Sequence, residues 1–336
     1  MRADVPQVID GDGHIFEPDE GICGYLEAKY SAATLKRFPL FPSLDRMARL
    51  GPGGKFGYDA AGWLQFLDDA EIESTVLYPT SALAFGFADG VEWCVDLARA
   101  YNDFVSDNYL RVSPRMKAVA VLPVQDPSAA AAELRRATQE LGMVGGLLPA
   151  VGLRFPYGEE HFDALYREAD ALETMLAVHG APHRDLGPFI EYYPQIGGFA
   201  HPVSLMIQFS SMANGRVFER FPRMKVAFLE GGCGWMPFAM ERIDRQNQRS
   251  GRKLASEQVR DYPVYVHAEL DEAALPYAVS VIGEDRFIFA SDYPHQGPTS
   301  EPVAQEIDAF VRRADLSAAA KRKLLCDNVK TLYAMK

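Results

Sequence analysis

Five short stretches hold residues whose types and spacing suit metal chemistry: Asp10-Gly-Asp12-Gly-His14, His179, Glu230-Gly-Gly, His267-Ala-Glu269 and Asp292-Tyr-Pro-His295. Asp12 and His14 are two apart, so in an extended strand they point the same way and can share one ion. Adding His179 and Asp292 gives two imidazoles and two carboxylates, a mixed set suited to Zn, Mn or Fe that leaves room for water or substrate. A lone histidine at a strand end is more often a hydrogen-bonded structural group. It is the conjunction that points to a divalent metal centre. Asp10 lies deeper in its strand and reads as structural, holding backbone or a ligand in place. Ligand-type residues exceed what one ion needs. Glu17, His183, His201 and His267 are therefore candidates for a second ion or for substrate, with one ion the leading expectation.

These residues need a frame that brings distant positions to one point. Short apolar runs alternate with amphipathic stretches, the pattern of strand-helix units around a parallel sheet. Eight strands are predicted: 8–12, 74–79, 116–123, 144–150, 174–179, 225–230, 264–269 and 286–292. Helical stripes are predicted over 91–110 (Trp93, Leu97, Tyr101, Phe104 and Val105 on one face), 129–141, 161–172 and 236–248. Eight such units closing on one another make a (β/α)8 TIM barrel, whose chemistry sits where strands end and the following loops begin. Every stretch named above falls at such an end. Two insertions, about 18–62 after strand one and 180–202 after strand five, are expected to overhang the site. Residues 1–336 are read as a single domain, with no repeat or linker to justify a second.

The chain has 336 residues, and 34 Lys+Arg against 46 Asp+Glu leave a net charge of −12 with no basic block. Capture of nucleic acid or of an anionic membrane is not expected. Four scattered cysteines, no leader segment and no long apolar run suggest a reduced, cytoplasmic protein acting on a small molecule. Self-association is expected; Phe209, Met212 and Phe218 can form a contact face, although core packing explains them as well. His161 reads as a solvated surface residue. Arg154, Arg184, Phe41, Tyr58, Phe85, Tyr192, Tyr193 and Trp235 can line a pocket for a planar carboxylate, or simply pack.

Taken together, VIDGDGHIFEP, LAVHG, RVFERFPRMKVAFLEGGCGWMPF and FASDYPH, in that order, resemble the amidohydrolase-related family that includes aminocarboxymuconate-semialdehyde and dihydroxybenzoate decarboxylases. The resemblance implies the barrel and a mononuclear site, with Asp12-x-His14 at the family's strand-one pair and His179 and Asp292 completing it. It also implies a departure. The family's decarboxylases usually carry His-Gly-Gly on strand six, their acid/base, whereas this chain has Glu230-Gly-Gly. A glutamate beside a metal is suited to accept a proton from bound water, because the ion lowers that water's pKa toward about 7. The leading expectation is thus hydrolysis of a small cyclic or aromatic acid or amide, with Glu230 as base and His295 and His201 orienting substrate or leaving group. One alternative is non-oxidative decarboxylation of an aromatic or enol-like acid, which requires the pKa of a glutamate to be raised. The other is a dinuclear Fe or Mn/Fe oxygenase, a smaller branch of the same family.

Overall fold

A computed structural model describes residues 7–37, 39–42, 59–182, 186, 197–295, 297 and 299–335. Its centre is a ring of eight parallel strands: β1 (Ile9–Ile15), β2 (Ser74–Pro79), β3 in two pieces (Met116–Ala118 and Ala120–Val121), β4 (Gly145–Pro149), β5 (Met175–His179), β6 (Lys225–Leu229), β7 (Val264–His267) and β8 (Phe287–Ile288). Each strand is followed by at least one helix. The main ones are α1 (Ala60–Asp69), α2 (Val91–Val105), α3 (Pro127–Gln139), α4 (Asp163–Leu172), α5 (Gly197–Asn214), α6 (Trp235–Ser250), α7 (Leu275–Ile282) and α8 (Glu301–Arg312). This is the TIM barrel expected from the alternation of strands and helices.

The ladder breaks at Val119, but its N–H still donates to Leu77 O at 3.2 Å, and Val144 N to Ala118 O at 2.9 Å, so the third strand bridges its neighbours. The eighth strand is shorter than the predicted 286–292. Beyond Ile288 the chain stays beside β1 through single bonds: Gly11 N to Phe289 O at 2.9 Å, Asp292 N to Asp12 O at 3.1 Å and His14 N to Tyr293 O at 2.7 Å. Those bonds form the seam of the barrel and bring residue 292 next to residue 12.

Strand β1 alternates acid or histidine with glycine because its two faces meet different neighbours. A Cβ on Gly13 would lie 2.3 Å from Trp63 Cη2, and one on Gly11 2.8 Å from Phe289 O, so only hydrogen fits. Asp10, Asp12 and His14 are all buried; the pairing register shifts between Asp10 and Gly13, and the Asp10 carboxylate lies on the Gly13 side, 2.8 Å from where a Gly13 Cβ would stand. Asp10 acts as a fastener. Its Oδ2 accepts from Thr75 Oγ1 at 2.7 Å and Ser291 Oγ at 2.8 Å, and its Oδ1 from Ser291 N at 2.8 Å and Asp12 N at 3.2 Å. Burial pushes its carboxyl up to about 6, against those bonds. Each buried donor left unpaired costs about 1–3 kcal/mol. Asp10→Ala is accordingly expected to lower stability by roughly 3 kcal/mol, read as a shift in denaturant midpoint. A loss below about 1 kcal/mol would show that the seam holds without it.

The remaining expectations were met unevenly. Helix α5 starts at Gly197, so the second insertion is shorter than 180–202 and His201 lies on a helix. Phe209, Met212 and Phe218 are buried and so cannot form a contact face for a second copy; the exposed apolar residues here are Phe199, Ile207, Phe238, Tyr277 and Val281. Phe41, Phe85 and Trp235 belong to the core, as packing. Tyr58, His183, Arg184, Tyr192 and Tyr193 lie outside the described residues. Among the described residues no helix is long and apolar enough to cross a membrane.

Candidate metal centre and active site

The strand ends converge as the spacing predicted. His14 Nε2 stands 3.5 Å from Asp12 Oδ1 and 3.5 Å from Asp292 Oδ1, and His179 Nε2 is 3.2 Å from Asp12 Oδ2. Asp12, His14 and His179 form one group whose ligand atoms lie within 4.8 Å of one another; His14, Asp292 and His295 form another. Sharing His14, the two groups make one centre. Both ligand histidines are anchored from behind by backbone oxygens, His14 Nδ1 by Pro79 O at 3.0 Å and His179 Nδ1 by Gly180 O at 2.8 Å, which turns each Nε2 inward.

The centre fits a cation on a structural test. Asp12 Oδ1, His14 Nε2 and His179 Nε2 are buried yet have no hydrogen-bond partner, a costly arrangement unless an ion satisfies them. Asp12, His14, His179 and Asp292 would hold it. Burial disfavours a charged His179, but Asp12 and Glu230 outweigh that and lift its pKa to about 9. His14, buried beside His295 and His179, is held well below the usual range. Binding of a cation there would require His179 in its neutral form, so metal binding would be expected to release a proton.

Glu230 sits at the edge of this set, its Oε2 3.3 Å from His179 Nδ1 and without a hydrogen-bond partner, its Oε1 3.7 Å from His201 Nε2. Burial, then the Asp292 carboxylate, pushes its pKa up to about 8. Glu230 (φ 60°) and Asp292 (φ 50°) both adopt left-handed backbone, a strain that clusters at functional positions.

His295 has both nitrogens engaged, Nδ1 with Asp292 Oδ1 at 2.7 Å and Nε2 with Thr80 Oγ1 at 3.0 Å, while its ring stacks on His14 at 4.1 Å. Glu17 is buried with both oxygens occupied, accepting from Ser81 N at 2.8 Å and Ala82 N at 3.0 Å. His267, at the end of β7, is buried with Nδ1 unpartnered and burial lowering its pKa. Among the described residues, neither Glu17 nor His267 joins the ligand groups. Thr80 escaped the sequence reading although it directly follows a strand; a polar side chain at a strand end was the available signal.

With eight strands and a His/Asp centre at their carboxyl ends, the class is defined. A model of the amidohydrolase family matches residues 9–335, and the chain belongs to that family. Its Asp/His groups are of a kind that could hold a divalent ion. The chain is 24% identical over 292 residues to gamma-resorcylate decarboxylase of Polaromonas sp., covering 81% of this chain and 86% of that one. It is 26% identical over 276 residues to 2-amino-3-carboxymuconate-6-semialdehyde decarboxylase of Dictyostelium discoideum, covering 78% and 72%. Among solved structures, 5-carboxyvanillate decarboxylase of Novosphingobium aromaticivorans, with bound manganese and 3-methoxy-4-hydroxy-5-nitrobenzoic acid, superposes with a TM-score of 0.74 at 21% identity over 99% of this chain and 98% of that one. An amidohydrolase of Mycobacterium avium subsp. paratuberculosis reaches 0.77 at 20% identity, over 98% and 99%.

Proposed function

We propose that the chain is a non-oxidative decarboxylase of a hydroxylated aromatic or enol-like carboxylic acid, with Glu230 as its proton donor. The observation that carries this is the placement of Glu230, a buried carboxyl with one unpartnered oxygen beside the ligand histidine His179. The decarboxylase names of the relatives support the same reading. The bound ion supplies charge that orients and polarises the oxygens of the substrate. Glu230 delivers a proton to the ring carbon that bears the carboxylate. The bond to that carboxylate then breaks, its electron pair returns to the ring, CO2 leaves, and Glu230 regains a proton from water. Burial raises the pKa of the Glu230 carboxyl in the metal-free chain, and a divalent ion alongside would oppose that shift.

The test uses a panel of hydroxybenzoates labelled with 13C in the carboxyl group, with metal-loaded enzyme in D2O. The expected outcome is labelled CO2 and one deuterium at the vacated ring carbon of each product molecule. Turnover that consumes O2, or that hydrolyses a cyclic amide or ester without CO2, would sink the reading.

A further inference from the structure

A cavity of about 770 Å³ opens outside the metal centre, between the loops that follow β2, β3 and β4. That size falls within the range of small-molecule sites, about 300–1,000 Å³. None of its lining residues is a metal ligand, nor are Glu230 or His295 among them. Its walls combine three phenylalanines, Phe87, Phe155 and Phe162, with Arg154 and His161. Arg154 has no carboxylate partner among the described residues; its guanidinium lies 5.7 Å from the centre of the Phe155 ring. The Phe155 and His161 rings are 4.8 Å apart, and those of His161 and Phe162 5.0 Å. On the third wall Gln125 donates to Phe85 O at 2.6 Å and Ala88 O at 3.2 Å, leaving its Oε1 without a partner.

The cavity is preformed. A Cβ on Gly86 would fall 2.1 Å from Val151 O, and one on Gly152, at φ +78°, 2.6 Å from the carbonyl carbon of Gly86. The loops after β2 and β4 therefore lock directly against each other, backbone to backbone, and little ordering cost remains for an occupant.

We infer that this cavity is a second ligand site, taking a monoanionic aromatic acid whose carboxylate pairs with Arg154 and whose ring lies among Phe87, Phe155 and Phe162. A planar guanidinium matches a carboxylate bidentately, and aromatic walls favour a flat ring over an aliphatic chain. Asp89 on the same lining disfavours a second carboxylate on the ligand. The inference does not depend on the decarboxylase reading, since no residue of that reaction lines the cavity.

The probe is 6-hydroxy-2-naphthoate, followed by its fluorescence, with 2-naphthol as the uncharged control. Binding is measured to the wild-type chain and to the Asp12→Ala/His14→Ala variant; chelator-treated wild type stands in if that variant is unstable. Expected in the Asp12→Ala/His14→Ala variant, where the metal centre no longer takes the probe, is saturable binding of one probe per chain that exceeds that of 2-naphthol and weakens at least tenfold when Arg154→Gln is added. Arg154 is exposed, so the substitution leaves the fold intact. Equal affinity in Arg154→Gln, binding that vanishes with the metal site, or no saturable binding would each overturn the proposal.

Discussion

Replacing Asp12 and His14 together by alanine is expected to leave less than a tenth of the divalent metal that elemental analysis finds in the wild-type chain, about one ion per chain, and to reduce turnover to background. These two residues supply two of the buried atoms that have no other partner, Asp12 Oδ1 and His14 Nε2. Their loss leaves His179 and Asp292 alone, too few ligands to hold a labile first-row ion. Because the ion binds only the folded chain, chelation of the wild type should also lower its melting temperature, whereas the variant, with nothing to lose, should not respond. Retention of a full equivalent of metal in the variant would refute the assignment of the centre.

Glu230→Gln tests the chemistry without disturbing the ion. The amide keeps the shape of the side chain and removes only the transferable proton, so metal content and KM should stay near wild-type values. The chemical step should slow on the order of 10²–10⁴-fold, the usual contribution of a positioned acid or base. A fall in kcat with unchanged metal content isolates the proton transfer. A variant with near-wild-type kcat would show that another group does the work instead, His267 with its buried, unpartnered Nδ1 being one candidate.

Much of this site was legible because a barrel turns sequence periodicity into geometry. Apolar runs mark strands, strand ends mark one rim, and the types of residue near those ends single out candidate ligands. His14, His179 and Glu230 lie at or just past a strand terminus, Asp12 lies within β1 and Asp292 four residues beyond β8, and the structure gathers Asp12, His14 and His179 into one group and His14, Asp292 and His295 into another. What escaped was settled by contacts between positions far apart in the chain. Glu17 has the composition of a ligand, yet its carboxylate is taken by the amides of Ser81 and Ala82, more than sixty residues away. The contacts of His295 with Thr80 and Asp292 likewise join positions the sequence keeps apart or gives no orientation for. The start of α5 was hidden by Pro202 within its first turns, which reads locally as a breaker. The cavity beside Arg154 was invisible because three separate loops build it, and His161, exposed as expected, finds its aromatic neighbour Phe155 only in three dimensions.

The seam between β1 and the chain after β8 also sets an order of events during synthesis. Asp10 and Ser291, whose bonds close the ring, are separated by 281 positions. A chain emerging from the ribosome exposes Asp12 and His14 well before Asp292 can be placed beside them, because 280 positions separate residues 12 and 292. Until then the first strand is an open edge with unpaired amides and half a set of ligands. The barrel seam and the candidate centre can thus be completed only after residue 292 has emerged, and a nascent chain stalled before it would be both inactive and prone to pair its exposed edge with a neighbour.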